Sequence, residues 1–486
     1  MCFSAESAFP PAADYWNFSW PNIHLFSVQM IQATTPSRVF PPLVPTSQCT
    51  WNKDKANNQT DFPCNAWLPS IPHYNGLFSA VGLMTVIEIM KRHTGDRHIG
   101  IIYSAFGGTS ISLWAPPSAY EGCPADTPNE GGGLYNAMIA PLARFSIRSF
   151  LYFQGEQDVE TESKNPGWYA CRHERLISFW RKAWGMGDIS FCFVQLGPVN
   201  DPGPPYGLVR IAQTLALPLV NGSTDITGMA VTYDLGDTGS NDTFGSVHFR
   251  NKVTVSQRLA AAVLHTQFAL QNTSLLGPVL TGFSSVTSMS VSIDIHVPDG
   301  SGVKLVDCEQ CTLCCLQSVD TVQLSSDGVT WCNSTLKVSS TGNSIIATKT
   351  PDCTGNTNPF THVRTGWNSF PQCAIAAIGN GFPISAFSVP ILSTNHQKGS
   401  YTRSLDNHQS SAIVSKGGKL HWKGQMFSWS GLTPPPPMGL NVSSMKHTLS
   451  LSRSKQCTIS RNRLTHIHIY THFSLYHTYR HGMHFM

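Results

Sequence analysis

The chain has 486 residues, of which 41% are hydrophobic and 12% charged, and carries a formal net charge of +4. That length accommodates two or three domains. No apolar run suits a bilayer span; the best candidate, "LFSAVGLMTVIEIMKR", is short, contains Glu88 and ends in basic residues. The positive charge belongs to the tail, because nine of the 32 Lys and Arg follow Asp406 and none of the 28 Asp and Glu does. What precedes holds 23 basic and 28 acidic residues, a balance of −5 that gives no electrostatic case for nucleic-acid binding.

The N-terminal "MCFSAESAFPPAADYW" has neither a basic n-region nor an apolar h-region. Fourteen cysteines and seven N-x-[ST] sequons, at Asn17, Asn58, Asn221, Asn241, Asn272, Asn333 and Asn441, point the other way, to an oxidising compartment. The two are reconciled if the natural chain starts upstream of Met1, and the full-length protein is then expected to be secreted or lysosomal.

Strand-like and helix-like segments alternate over the first 270 residues. "NIHLFSV" is apolar and β-branched. "NGLFSAVGLMTVIEIMKRHTG" predicts a helix, with Asn75 as its cap and Gly95 as its stop. "HIGIIYSAFGG" is a buried strand broken at Gly107-Gly108, "GLYNAMIAPLARF" a short helix, and "IRSFLYFQG" the next strand. "ACRHERLISFWRKAWG" is an amphipathic helix, "ISFCFVQL" and "TGMAVTYDLGD" are strands, and "NKVTVSQRLAAAVLHTQFAL" is a helix. Near-continuously apolar strands separated by helices predict an α/β fold with a doubly wound parallel sheet. Ligands of such sheets bind beyond the carboxyl ends of the strands. The breaks at Gly107, Gly155 and Gly236 all fall there.

From about 276 to 393 the pattern becomes short alternating runs, such as "SVTSMSVSIDIHV", "DTVQLSSDGVTW", "STLKVSS" and "NSIIATK". They predict a smaller antiparallel β-domain. Its "CEQCTLCC" reads as disulfide cysteines rather than a metal knot. The expected organisation is therefore 1–275, 276–393 and a basic tail, 394–486, that is disordered or non-native in character.

Two stretches carry chemistry. In "SFLYFQGEQDVE" a buried strand ends in Gln154, Glu156 and Asp158. In "DLGDTGSNDTFGSVHFRNK" His248 lies on the last strand-to-helix loop, where an imidazole held by an acid serves as general base.

The whole set resembles the sialate O-acetylesterases and, more broadly, the SGNH-type carbohydrate esterases. The resemblance runs from about residue 20 to about 393. "IGIIYSAFGGTSISLW" is similar to the family's glycine block, and "LYNAMIAPLARFSIRSFLYFQGEQD" to its Asn-Ala-Met-Ile…Pro-Leu…Gln-Gly-Glu-x-Asn segment. "VRIAQTLALP" is similar to its Arg-x-x-Gln segment, "VTYDLGDTGSNDTFGSVHFRNKVTVSQRLA" to its histidine block, and "VRTGWNSFPQCAIAAIGNGFPISAF" to its closing β-strands.

The resemblance implies hydrolysis of sugar O-acetyl esters by a serine, a histidine and an acid, with water as second substrate and no metal or organic cofactor. It assigns His248 as base and Glu156 as the acid that orients it, with Asp234, Asp237 and Asp242 as alternatives. Backbone amides at Gly107 or Gly108, and the Gln154 amide, would receive the oxyanion. Asp158 stands where the family has asparagine and would alter substrate contacts. The family's nucleophile motif, Gly-Gln-Ser-Asn-Met, does not occur in the sequence. A chain beginning downstream of it would also lack the first sheet strand and be inactive or nearly so. Ser4, Ser7, Ser104 and Ser110 are the candidate substitutes, and none sits in a strand-to-helix elbow.

The expected partner is O-acetylated sialic acid or another acetylated sugar, with no nucleic acid and no membrane span. Two rival readings are a catalytically inactive carbohydrate-binding relative, and a nucleic-acid or membrane-surface partner acting through the basic tail.

Overall fold

A computed structural model describes residues 13–40, 63–94, 97–124, 131–186, 189–220, 226–237, 245–268, 275–308, 321–351, 353, 357–391, 419–422, 425–428 and 467–473. Residues 1–413 and 466–486 form one compact unit and 414–465 a second.

The first unit opens with an α/β part. Its strands are β1 (Trp20–Ser27), β2 (Trp67–Ser70), β3 (Ile99–Tyr103), β4 (Ser149–Phe153), β5 (Ser190–Gln195) and β6 (Thr227–Val231). Its longer helices are α1 (Ala80–Ile89), α2 (Trp168–Ala183), α3 (Gly207–Val220) and α4 (Lys252–Phe268). Every residue of β4 and β5 is buried, as expected of strands covered on both faces by helices. Aromatic residues interlock between sheet and helix: Phe150 lies 5.4 Å from Trp180 and 5.0 Å from Trp184, centroid to centroid.

An antiparallel part follows, with β7 (Val279–Val286), β8 (Ser290–His296), β9 (Val303–Asp307), β10 (Val322–Ser325), β11 (Cys332–Val338), β12 (Ser344–Lys349), β13 (His362–Thr365), β14 (Cys373–Ala377) and β15 (Phe387–Pro390). Seven of these form one sheet in the order β15-β13-β10-β11-β12-β8-β7, and β14 pairs with β9. Alternating burial along β8, with Val291, Ile293 and Ile295 inward, packs the sheet over its own core. In the second unit, β16 (Lys419–Trp422) and β17 (Gln425–Ser428) form an antiparallel pair.

One more strand, β18 (Ile467–Phe473), completes the first sheet, whose order is β2-β1-β3-β18-β4-β5-β6. Only β2 runs antiparallel to its neighbour. The α/β class, the parallel sheet and the antiparallel β-part are thus as the sequence predicts.

Four local expectations change. Asn75 is not the cap of α1: its side chain donates to the Phe18 carbonyl at 2.9 Å and accepts from the Ser70 hydroxyl at 2.7 Å. Ser79 caps instead, accepting from the Gly82 amide at 3.0 Å. The segment 133–145 forms a π turn (Tyr135–Ile139) and a 3-10 turn (Ala140–Arg144) rather than an α-helix, because Pro141 has no N–H to continue the ladder. Helix α3 has no counterpart in the sequence reading. Its buried residues, including Leu208, Arg210, Gln213 and Thr214, mix polar with apolar, which blurs the periodicity. The fourth is β18, which the sequence reading placed in a formless tail.

Disulfides join Cys123 to Cys171 and Cys332 to Cys353, and Cys64 and Cys373 are disulfide-bonded as well. Of the "CEQCTLCC" run only Cys308 lies within the described residues, and it is buried.

The turn after β4 depends on Gly155. Its φ is +138°, and an added Cβ would lie 2.9 Å from Val209 Cγ1 and 3.1 Å from the Tyr169 hydroxyl. Gly155→Ala therefore combines backbone strain with overpacking and should destabilise the protein by about 2–4 kcal/mol, read as a shift in the urea midpoint. A shift under about 0.5 kcal/mol would show that the turn is not constrained.

Candidate functional site

Three segments converge at the carboxyl ends of the parallel strands. The first is the glycine block after β3. Gly108 takes a φ of +68°, a conformation that suits a residue without Cβ. The loop is braced from inside: the Thr109 hydroxyl donates to the Phe106 carbonyl at 2.7 Å and accepts from Trp114 Nε1 at 3.0 Å. Gly107 and Gly108 stay half-buried, with their backbone near solvent.

The second segment is the turn after β4. Gln154 and Asp158 are wholly buried, and Glu156 nearly so. Gln154 is fully engaged by protein. Its Oε1 accepts from the hydroxyls of Tyr152 at 2.9 Å and Tyr169 at 3.0 Å, and its Nε2 donates to Asp158 Oδ2 at 2.5 Å and to the Thr109 carbonyl at 3.3 Å. Asp158 Oδ2 also accepts from the Ile111 amide at 3.0 Å. Gln154 and Asp158 therefore act as a brace that fixes the glycine block against the end of β4. Tyr152 and Tyr169 are held well above their ordinary pKa by burial, so both remain hydrogen-bond donors at neutral pH.

Glu156 differs from its neighbours. Its Oε2 is buried and has no hydrogen-bond partner among the described residues. Burial pushes its carboxyl up to about 7, with Asp158 adding to the rise and its own backbone amide and Lys252 opposing it. A buried carboxyl left with an open acceptor and poised near neutrality is suited to receive an imidazole or a substrate hydroxyl.

The linkage has a definite sign. The carboxyl's folded value lies above its ordinary 4.5, so the folded state keeps a proton that the unfolded chain releases between pH 4.5 and about 7. Glu156 thus lowers stability progressively over that window, by on the order of 3 kcal/mol above it. Glu156→Gln should gain stability on the unmodified protein as pH rises from 5 to 8, measured as paired denaturation curves. Curves that stay parallel across that range would contradict the burial argument.

The third segment is the 3-10 turn Gly245–His248, which leads into α4. His248 is 1% exposed. The turn is pinned on both sides. The Ser246 hydroxyl accepts from the Asn200 amide at 2.7 Å, and the Arg250 guanidinium forks onto Asp237, with Nε to Oδ2 at 2.7 Å and Nη2 to Oδ1 at 3.0 Å. The Phe249 ring fills the space over Gly197, where any side chain would collide with it. Lys252, 3% exposed, bridges the second and third segments. Its ammonium lies 3.9 Å from the ring centre of Phe249, the residue after His248, and 5.7 Å from that of Phe153, the last residue of β4.

Among the alternative acids, Asp234 is taken up by Arg258 in a buried two-point pair, at 2.6 and 2.7 Å, and Asp237 by Arg250. Asp242 lies outside the described residues. Of the candidate serines, the Ser104 hydroxyl donates to the Met138 carbonyl at 3.1 Å, and Ser110 accepts from the Ser112 amide at 3.2 Å as a cap. Ser4 and Ser7 lie outside the described residues. Among the described residues no group of three His, Cys, Asp or Glu is placed to hold a metal ion, and no helix is long and apolar enough to cross a membrane.

Sequence reasoning missed Tyr152, Tyr169, Gln213 and Lys252. Gln213 links two strand ends: its Nε2 donates to the carbonyls of Gln154 and Val194, each at 3.2 Å, and its Oε1 accepts from the Leu196 amide at 3.0 Å. The Arg-x-x-Gln spacing was its signal, since residues three apart share a helix face.

Comparison with known proteins bears on the same region. Residues 47–265 match the family described as carbohydrate esterase, sialic acid-specific acetylesterase. Sialate O-acetylesterases of Homo sapiens and Pongo abelii are each 31% identical over 224 residues, which is 40% of this chain and 42% of theirs. That of Rattus norvegicus is 27% identical over 230 residues, 37% of this chain and 42% of its own. The alignments thus span about two fifths of the length of these curated relatives. A crystal structure of a carbohydrate acetylesterase from Xanthomonas citri superposes with a TM-score of 0.62 over 80% of this chain and 78% of that one, at 22% identity, which is a likeness of fold. The matched stretch, residues 47–265, is the one that carries the glycine block, Glu156 and His248.

Proposed function

We propose that the three segments together form a carbohydrate-ester site, and that the protein removes acetyl groups from O-acetylated sialic acid or a related sugar. The observation that carries this reading is Glu156. A buried carboxyl with one unpartnered oxygen, raised to about 7, sits at the end of β4 within the electrostatic reach of Lys252, which lies against Phe249 next to His248. In the reaction His248 takes the proton of the attacking hydroxyl, and Glu156 holds the imidazolium that results. The carbonyl oxygen, as its charge develops, turns to the backbone amides of Gly107 or Gly108. His248 then returns the proton to the departing sugar hydroxyl, and water releases acetate from the acyl-enzyme. Asp158 and Gln154 hold the walls in place. The disulfides and sequons support work in an oxidising, secretory or lysosomal compartment.

The attacking hydroxyl is a serine in the family that the sequence resembles. The motif Gly-Gln-Ser-Asn-Met is not in this sequence, and Ser104 and Ser110 are committed to structural bonds. These observations favour a second reading, in which the site binds acetylated sugar without turning it over.

Acetate release from O-acetylated sialic acid, measured beside calorimetric binding of the same sugar, separates the two. Release with binding supports hydrolysis. Binding without release supports the non-hydrolysing reading, and neither signal would remove both.

A further inference from the structure

The antiparallel part holds an arginine whose charge the fold fixes in place but does not use. Arg364, on β13, is 8% exposed. Its guanidinium carbon lies 4.0 Å from the ring centre of Trp331 and 3.9 Å from that of Trp367, so two half-buried indoles clamp the flat group. Its Nε donates to Gln323 Oε1 at 2.7 Å, and Gln323 Nε2 donates in turn to Asn333 Oδ1 at 2.9 Å. The three residues form a row across β11, β10 and β13, with Asn333 opposite Gln323 and Gln323 opposite Arg364. The indoles set the tilt of the guanidinium, and the row sets the direction in which its outer edge points. Nη1 and Nη2 make up that edge. Neither makes a hydrogen bond or meets a carboxylate among the described residues, and neither is sealed from solvent. Burial lowers the group's pKa to about 9, which leaves it charged at neutral pH. A largely dehydrated charge without a counter-ion is costly to hold, and an anion at the open edge would offset that cost.

We propose that the Trp331–Arg364–Trp367 clamp is a binding site for the carboxylate of an acidic sugar, with Nη1 and Nη2 each donating to one carboxylate oxygen. A planar fork held in one orientation meets a carboxylate at two points, which a lysine ammonium does not. The part-exposed edges of the two indoles offer apolar surface beside the charge, suited to the C–H groups of a sugar ring. The site belongs to the β-domain, apart from the three segments at the ends of the parallel strands, and it holds its ligand whether or not the protein cleaves esters. The two regions are nevertheless tied together: β13 runs from Arg364 into the loop whose Gly366, Asn368 and Ser369 carbonyls accept from Arg210 of α3.

Titration of the full chain with N-acetylneuraminic acid tests this, because that sugar has a carboxylate and no O-acetyl ester, so the outcome is independent of turnover. Amide exchange read along the titration should show protection at 329–333 and 362–368. The methyl ester of the same sugar, which lacks the charge, should bind these stretches about 10–100-fold more weakly, and Arg364→Met should weaken binding of the acid by a similar factor. Equal affinity for the acid and its methyl ester would overturn the proposal, as would protection confined to the three segments at the parallel-strand ends. Inorganic sulfate that protects both stretches as well as the sugar does would make the clamp a general oxyanion site and overturn its assignment to an acidic sugar. Should Arg364→Met fail to fold, the comparison of acid and methyl ester on the unmodified chain decides alone.

Discussion

Replacing His248 by alanine should lower acetate release from an O-acetylated sugar by about 10²–10⁴-fold, with KM little changed. The expectation follows from where the imidazole sits. It is 1% exposed, on a turn pinned by Ser246 and by the Arg250 fork, and it is followed by a ring that closes over Gly197. Such placement leaves the imidazole little freedom, so its loss removes a positioned proton acceptor and not a loose surface group. Because the pinning residues lie outside the side chain that changes, the variant should retain its fold, checked by an unchanged unfolding midpoint within about 1 kcal/mol. Equal rates for the two proteins, with folding intact, would take His248 out of the chemistry.

Arg210→Met should cost about 3–5 kcal/mol of stability, the range for stripping one partner from a buried charged network. Arg210 is wholly buried and meets no carboxylate among the described residues. All its hydrogen bonds go to backbone carbonyls: Leu196 at 2.8 Å, Gly197 at 2.6 Å, Gly366 at 3.1 Å, Asn368 at 2.6 Å and Ser369 at 2.9 Å. The guanidinium has five donors in a fixed fork, and here five carbonyls receive them. Burial pulls its pKa down to about 9, so it remains charged at neutral pH. The side chain staples the end of β5 to the loop after β13, and methionine would leave the carbonyls on both without donors. Lysine would not rescue it, because three donors on a compact head cannot span the same set. A urea midpoint lowered by less than about 1 kcal/mol would mean that water replaces the guanidinium at no great cost.

The sequence was most legible where strands are uniformly apolar. "IRSFLYFQG" and "ISFCFVQL" read directly as β4 and β5, because burial on both faces removes the alternation that would have confused them with surface strands. The polar cluster behind β4 was legible as a cluster at a strand end, but not the division of labour within it. Gln154 reads as an oxyanion donor from its place in a motif. Its amide is in fact spent on Asp158 and Thr109, a tertiary arrangement that no spacing encodes. Asp158, read as a substrate contact, accepts from Ile111 and Gln154 and so braces the loop. Lys252 was invisible for a different reason: a lysine opening a helix reads as solvated, and its burial between Phe153 and Phe249 depends on strand ends far apart in sequence. Strand β18 was missed because His and Tyr interrupt the hydrophobic pattern, and because its pairing is entirely non-local.

Amide-exchange footprinting with O-acetylated sialic acid tests most directly whether the three segments bind the sugar, since it needs no turnover. The account predicts protection in three stretches at once: 106–110 after β3, 154–158 after β4, and 246–252 around His248. Saturating sugar that leaves all three unprotected, or protects only the β-domain, would contradict it.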